Sequence, residues 1–173
     1  IDDGSTPPIR EHICLEYDSL SKFRLIEYEQ NRGANAARNS GIRAASGSYI
    51  AFLDSDDEWA PDKIKRQVEQ LRTTEYEASY TTVKQVDENG QLNSLRHASN
   101  EGDLQHRLTK SNTIGTFSSF MISRDAIGEN NPLDPDLPCW QDWEWYLRLS
   151  DSVLFGAIDQ PLTIRHNEGD QIS

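Results

Sequence analysis

The sequence has few lysines, few cysteines and no long apolar run, and each shortage excludes a class of protein. Only five of the 173 residues are lysine, and acidic side chains outnumber basic ones by 29 to 17, for a formal net charge of −12. Such a charge repels nucleic-acid phosphates, so we expect no nucleic acid among the partners. The two cysteines, Cys14 and Cys139, match neither a CxxC zinc motif nor a disulfide scaffold. Without a run of about 18 apolar residues, the sequence predicts no transmembrane helix.

Strand-like and helix-like segments alternate along the chain, which predicts an α/β fold. We expect strands at 23–28, 48–54, 78–86, 116–123, 153–158 and 161–165, and helices at 33–46, from about 61, and at 141–150. The run 48–54 is continuously apolar, which favours a strand buried on both faces of a parallel sheet. Residues 91–114 are polar and show no clear pattern.

The acidic stretch 53–58 directly follows the predicted strand 48–54. In open α/β sheets, ligands bind beyond the carboxyl ends of the strands. If the extended conformation continues, Asp54 and Asp56 project from the same side, and at roughly 7 Å their carboxylates repel by about 2–3 kcal/mol. A bound divalent cation, Mg²⁺ or Mn²⁺, removes this cost. The alternative is a solvated acidic loop in which Asp56 or Asp57 caps the next helix.

Four motifs occur in order, namely IDDGST at 1–6, NRGANAARNSGIRAASGSYIAFLDSDD at 31–57, QDWEWYLRL at 141–149 and PLTIRHNEGDQIS at 161–173. Together they resemble the family 2 inverting glycosyltransferases. The resemblance implies the GT-A fold of nucleotide-diphospho-sugar transferases, a Rossmann-like, mostly parallel sheet flanked by helices. It covers nearly the whole chain and implies one catalytic domain over residues 1–173. Family members have a strand, a helix and a second strand before DDGS, so we expect the domain to be truncated at its N-terminus.

The resemblance implies how the donor is bound. Asp3 matches the residue that hydrogen-bonds the nucleotide base, although Asp-Gly-Ser is also a good turn sequence without a ligand. Asp54 matches the family residue that contacts the ribose or the metal shell. Asp56 matches the residue that ligates the cation bridging the diphosphate. Asp57 is a substitute for either role. Arg38 faces the diphosphate or pairs with the acidic cluster, and a structural ion pair is the alternative.

Asp142 matches the catalytic base of the family. Gln141 stands where the family often has a glutamate, so the supporting role of that acid is absent here. Asp142 could also cap the helix that begins beside it, and the two roles are compatible. Trp140, Trp143 and Trp145 flank the base, and their rings suit either sugar stacking or the hydrophobic core.

The implied function is metal-assisted, inverting transfer of a sugar from a nucleoside-diphosphate sugar to an acceptor hydroxyl. A UDP-sugar is the commonest family donor, and the acceptor is a carbohydrate, a lipid-linked sugar or a protein glycan. Family members often work at the membrane's cytoplasmic face, which implies a cytoplasmic location, with membrane association through segments outside this core. The alternatives are a sugar-nucleotide nucleotidyltransferase, whose glycine-rich phosphate loop is not found here, and a non-catalytic sugar- or cation-binding module of the same fold.

Overall fold

The computed structural model describes residues 1–11, 23–128 and 132–166, and the chain divides into two compact units. The first unit comprises Ile1–Ser46 with Pro132–Leu137, and the second comprises Gly47–Asn131 with Pro138–Ser173. The prediction of a single catalytic domain over residues 1–173 stays a prediction. Among the described residues, no helix is both long enough and apolar enough to cross a lipid bilayer.

The first unit is built around helix α1, Ala34–Ala44, which falls inside the predicted helix 33–46. Two buried asparagines tie α1 to the segment 132–137. The side-chain amide of Asn39 donates to the carbonyl of Leu133 (2.7 Å) and accepts from its N–H (2.9 Å), and Asn35 donates to the carbonyl of Asp134 (2.6 Å). Buried amides satisfied in this way stabilise the unit by about 1 kcal/mol per bond.

The predicted strand 23–28 is only a single bridge. Asp2 pairs in parallel with Glu27, through one bond from its N–H to Ile26 (2.8 Å) and one to its carbonyl from Tyr28 (2.9 Å). Gly4 has a φ of 80°, which is not a strand conformation, so the pairing does not continue as a regular ladder. The sequence therefore identified the pairing segment but overestimated its regular structure.

The described part of the second unit forms a six-stranded sheet with four helices. The strands are β1 (Tyr49–Ala51), β2 (Asp57–Trp59), β3 (Ala78–Val86), β4 (Leu92–Arg96), β5 (Phe120–Ser123) and β6 (Phe155–His166). Their order is β1-β5-β3-β6-β2, with β4 also paired to β3. The helices are α2 (Lys63–Thr73), α3 (Gln105–Leu108), α4 (Arg124–Ile127) and α5 (Gln141–Leu149).

The α/β class is confirmed, but the sheet is mixed rather than mostly parallel. Strands β3 and β6 run parallel, whereas the β1–β5, β3–β5, β3–β4 and β2–β6 pairs are antiparallel. The apolar run 48–54 yields only the three-residue strand β1, at one end of the strand order. Ile50 is buried, but Leu53 is exposed, so continuous apolarity here does not mark a strand covered on both faces.

Strand β6 merges the two short strands predicted at 153–158 and 161–165. Its pairing with β3 is irregular at Thr81–Val83, opposite Pro161. Proline has no N–H to donate to a ladder, so it is tolerated in a strand where the register shifts. The predicted gap between residues 158 and 161 is therefore an irregularity within one strand.

Helix α5 packs on the sheet through an aromatic cluster. Trp145 and Tyr146 are fully buried, and their rings lie 5.9 and 4.7 Å from that of Phe120. Phe52 and Phe117 complete the cluster, at 5.8 and 6.0 Å from Trp145. Each such pair is worth about 0.5–1.5 kcal/mol beyond the apolar area that it buries. The cluster therefore fixes where α5 begins, and with it the position of its second residue, Asp142.

Candidate active site

The acidic stretch after β1 is a turn. The N–H of Asp57 donates to the carbonyl of Asp54 (3.1 Å), and β2 begins at Asp57. The extended conformation therefore ends at Asp54, which removes the geometric basis for expecting Asp54 and Asp56 to project from one side. The alternative of helix capping is also wrong, because α2 begins at Lys63 and its N-cap is Asp62. We call residues 54–57 the acidic turn.

The three carboxylates of the acidic turn differ in burial. Asp54 is half-buried and Asp56 is exposed, whereas Asp57 is only 9% exposed. One carboxylate oxygen of Asp57 accepts from the hydroxyl of Thr116 (3.5 Å). The other is buried, and no group in the described part of the chain donates to it. Burial raises the pKa of Asp57, against the opposing hydrogen bond from Ser118.

A single stretch, which we call the 112–119 segment, holds the acidic turn. Its last residues, Phe117–Ser119, form a 3-10 helix. Ser118 accepts from the N–H of Asp54 with its hydroxyl (3.0 Å) and from the indole of Trp59 with its carbonyl (2.7 Å). Together with the bond from Thr116 to Asp57, these contacts fix both ends of the turn.

The same segment holds Asp142. This half-buried residue lies in the first turn of α5, where a negative charge interacts favourably with the helix dipole. One carboxylate oxygen accepts from the N–H of Trp143 (2.7 Å), and the other accepts from the side-chain amide of Asn112 (3.2 Å). The capping alternative is wrong, because α5 begins at Gln141 and its N-cap is Trp140. The bond from Trp143 is local to the first turn, and Asn112 orients the other oxygen of Asp142.

Asn112 is a residue that the sequence reasoning missed. Its side-chain oxygen accepts from the N–H groups of Ile114 (3.2 Å) and Gly115 (2.9 Å), so its amide nitrogen is turned toward Asp142. An asparagine in a polar stretch predicts a turn and nothing more. Its contact with Asp142 spans 30 residues of sequence, which no local pattern reveals.

A cavity of about 120 Å³ lies beside Asp142. Asp142 shares its wall with Gln85 of β3, Arg96 of β4, Arg165 of β6 and Thr116. Because Thr116 lines this cavity and also donates to Asp57, the acidic turn and Asp142 adjoin the same region of the second unit.

The three tryptophans around Asp142 have different surroundings. Trp145 lies in the core, and Trp143 donates its indole N–H to the carbonyl of Leu108 (2.6 Å). Trp140 is 70% exposed, has a φ of 53°, and packs edge-on against Trp143. Of the three rings, that of Trp140 is the most accessible to a ligand.

Asp3 and Arg38 lie in the first unit. The carboxylate of Asp3 accepts from the N–H groups of Arg32 (2.7 Å) and Gly33 (2.9 Å), immediately before α1. Gly4 is held against this segment, since a Cβ there would lie 2.8 Å from the backbone nitrogen of Asn31. Arg38 lies on α1 and donates to the side chain of Asn35 (3.4 Å).

A second residue of the DDGS motif, Asp2, has a structural role that the sequence did not indicate. It is buried, and it accepts from the N–H groups of Ser5 (2.9 Å) and Ile9 (3.0 Å). The side chain of Ser5, followed by these two N–H groups, lowers the pKa of Asp2. Asp2 also lines a cavity of about 280 Å³ together with Glu27 and Tyr28. Asp2 therefore holds the turn at 2–5, whereas Asp3, to which the turn-forming alternative refers, accepts from the N–H groups before α1.

The carboxylates of the acidic turn suit a hard cation that takes only some of its ligands from the protein. In residues 1–11, 23–128 and 132–166, no three His, Cys, Asp or Glu side chains form a group that could hold a metal ion. The acidic turn supplies carboxylates alone, and one buried oxygen of Asp57 has no donor in that part of the chain. Mg²⁺ commonly binds through one or two carboxylates, several waters and substrate phosphates. The residues present therefore fit a cation that arrives with a diphosphate.

Comparisons with known proteins address the fold and the family. Residues 1–130 match glycosyl transferase family 2. The chain is similar to an uncharacterized glycosyltransferase of Rickettsia bellii, with 30% identity over 98% of this chain and 24% of that protein. It is 35% identical to the Escherichia coli UDP-Glc:alpha-D-GlcNAc-diphosphoundecaprenol beta-1,3-glucosyltransferase WfgD, over 51% of this chain and 34% of that protein. The crystal structure of S. aureus TarS 1–349 in complex with UDP-GlcNAc matches with a TM-score of 0.77 and 17% identity, over 98% of this chain and 49% of that one.

The mixed sheet with its helices is thus a GT-A fold, the fold expected from the motifs. The chain belongs to glycosyl transferase family 2, which matches well over half of its length. It spans less than half the length of each of the three proteins described above.

Proposed function

We propose that this protein transfers a sugar from a nucleoside-diphosphate sugar to an acceptor hydroxyl, with inversion at the anomeric carbon. The observation that carries the proposal is the 112–119 segment. It contacts the acidic turn through Ser118 and Thr116, and Asp142 through Asn112. A cation-binding element and a carboxylate base are the two parts that such a reaction needs.

Asp142 acts as the general base in this proposal. As the acceptor oxygen attacks the anomeric carbon, its proton passes to a carboxylate oxygen of Asp142. The bond from that carbon to the nucleoside diphosphate breaks on the opposite face. General-base assistance of this kind is worth roughly 10²–10⁴-fold in rate. The hydrogen bond from Asn112 orients the carboxylate before the acceptor arrives, which reduces the cost of ordering it.

Asp54 and Asp56 would hold the cation, Mg²⁺ or Mn²⁺, with Asp57 as the substitute ligand. When bound, the cation supplies Lewis-acid stabilisation of the charge that develops on the leaving diphosphate. The hydrogen bonds of Ser118 and Thr116 support this assignment, because they fix the turn that carries the carboxylates. Asp54 would also contact the ribose.

A uridine nucleotide is the donor we propose, with Asp3 at the base and Arg38 at the diphosphate. The name of WfgD specifies a UDP-glucose donor and a lipid-diphosphate-linked acceptor, and TarS was crystallised with UDP-GlcNAc. These ligands support a UDP-sugar donor and a glycan or lipid-linked acceptor for the present protein. We also propose that it works in the cytoplasm.

Product analysis with the full natural protein tests the proposal. We expect UDP-glucose or UDP-GlcNAc, incubated with Mn²⁺ and a mixture of glycan acceptors, to release UDP and yield a glycoside of inverted configuration. Release of pyrophosphate with a nucleoside triphosphate and a sugar phosphate would instead identify a nucleotidyltransferase. Binding of UDP without turnover of any donor would favour the non-catalytic module.

A further inference from the structure

Two arginines line the cavity beside Asp142, although the chain as a whole carries a net charge of −12. They come from the strands on either side of β3. Arg96 of β4 pairs with Val83, and Arg165 of β6 pairs with Gln85. Val83 and Gln85 are two residues apart, so they lie on one face of the sheet. The strand register therefore brings both guanidinium groups to the face that Asp142 also lines.

Each arginine is linked to one side of the candidate active site. Arg96 donates to the carbonyl of Asn112, the residue that orients Asp142. Arg165 lies opposite Asp57 in the β2–β6 pairing.

The size and chemistry of the cavity restrict its ligand. A volume of about 120 Å³ accommodates a phosphate or carboxylate group. Guanidinium groups present planar sets of N–H donors that match these oxyanions. Gln85 and Thr116 add neutral hydrogen-bonding groups to the same wall.

We propose that this cavity is an acceptor subsite, in which Arg96 and Arg165 bind a phosphate or carboxylate group carried by the acceptor next to its reacting hydroxyl. The assignment to the acceptor rests on the proposed function, because a general base faces the hydroxyl that it deprotonates. An anion on the acceptor then lies on the Asp142 side, and the donor diphosphate lies with the acidic turn. The protein therefore selects phosphorylated or uronic-acid acceptors over neutral glycans.

Binding measurements on the full natural protein, saturated with UDP and Mg²⁺, test the subsite without requiring turnover. Glucuronate and glucose form a matched pair that differs in one carboxylate, and inorganic phosphate is the second anionic probe. We expect at least one anion to bind about ten-fold more tightly than glucose. A preference for phosphate indicates a phosphorylated acceptor, and a preference for glucuronate indicates a uronic acid.

Substitutions locate that binding. We expect Arg96→Gln and Arg165→Gln each to weaken anion binding about ten-fold, a loss of about 1.4 kcal/mol. Arg72→Gln, at an exposed position in the last turn of α2, is the matched control and leaves anion binding unchanged. Arg96 is exposed, so we expect Arg96→Gln to fold normally. This variant therefore tests anion binding even if Arg165→Gln lowers stability.

Two results would overturn the subsite. One is equal affinity for glucose and for both anions. The other is a loss of UDP affinity in Arg96→Gln as large as its loss of anion affinity, which would move the arginines to the donor. Failure of the proposed function has a different signature, because anion binding would persist while no UDP-sugar was turned over with any acceptor.

Discussion

The acidic turn and the start of α5 are held by the same 112–119 segment, but at different atoms. At α5 the segment bonds the carboxylate of Asp142 itself, through Asn112. At the turn, Ser118 accepts from the backbone N–H of Asp54, and Thr116 donates to one carboxylate oxygen of Asp57. The other oxygen of Asp57 is buried, and no described residue donates to it. In the proposed mechanism, Asp142 is the base and has both carboxylate oxygens hydrogen-bonded by the protein, whereas the acidic turn keeps one buried oxygen for a cation. The predictions below test this difference, from the largest expected effect to the smallest.

Replacing Asp142 by asparagine removes the base but keeps the shape of the side chain. We expect the turnover number to fall by about 10²–10⁴-fold, the range for general-base assistance, while UDP affinity in Mg²⁺ stays within a factor of two. Steady-state kinetics and calorimetry measure the two quantities. Asp136→Asn, at an exposed position of the first unit, is the matched control. Near-normal turnover in Asp142→Asn would show that the base lies elsewhere.

On the other side of the comparison, Asp56→Ala removes an exposed carboxylate from the acidic turn. We expect UDP affinity to fall about ten-fold or more in Mg²⁺ or Mn²⁺ and to remain unchanged with a chelator present. Calorimetric titration under both conditions provides the measurement, with the exposed Glu75→Ala as control. If the metal-dependent part of the affinity survived intact, the cation would have to be held by other residues.

Substitutions of Asn112 distinguish a role in positioning Asp142 from a role in stability alone. Asn112→Asp keeps an oxygen to accept from Ile114 and Gly115, but it loses the N–H donor and places a second negative charge beside Asp142. We expect the turnover number to fall about ten-fold, the value of a lost bond to a charged group, with the donor KM and the melting temperature nearly unchanged. Asn112→Ala also loses the turn and should lower stability. A variant Asn112→Asp with full turnover would reduce Asn112 to a turn residue.

The last prediction concerns the free energy of unfolding and involves Lys63, a fully buried lysine at the start of α2. Its ammonium group lies 4.4 Å from the centre of the Trp59 ring and donates to Gln67 (2.7 Å). Burial lowers the pKa of Lys63 to about 7. Between pH 7 and 10 the unfolded chain therefore binds one proton more than the folded chain, so the folded state gains stability as pH rises.

The expected slope is up to about 1.4 kcal/mol per pH unit for this single proton. Denaturant unfolding at pH 7, 8 and 9 measures it, and Lys63→Met should abolish the rise and be the more stable variant at pH 7. Lys65→Met, on an exposed position of the same helix, should keep the rise. The same slope in both variants would mean that the Lys63 site is open to water.

Helix and strand positions with strong local signals were predictable from sequence. Strand β3 spans the predicted 78–86, and α5 ends one residue before its predicted end. Strand β4 was not predictable from the sequence, because all five of its residues are exposed and show no apolar alternation. The mixed sheet was not predictable either, since strand direction depends on pairing between distant segments and not on local hydrophobicity.

The candidate site shows the same division. Asp54, Asp56 and Asp142 were identified from motifs, and their assigned roles remain predictions. The residues that hold them, Asn112 and Ser118, were missed because serine and asparagine are common in loops and act here through contacts 30 and 64 residues away. Candidate catalytic and metal-binding side chains are therefore easier to identify in a sequence than the residues that orient them.

Gly4 makes two stretches of the first unit move as one. Its positive φ and its close approach to the backbone at Asn31 exclude any larger residue without displacing one stretch from the other. The carboxylate of Asp3 joins the same two stretches from the adjacent position. The residue proposed to hold the nucleotide base is thus mechanically coupled to the start of α1, so a displacement of either element is transmitted to the other.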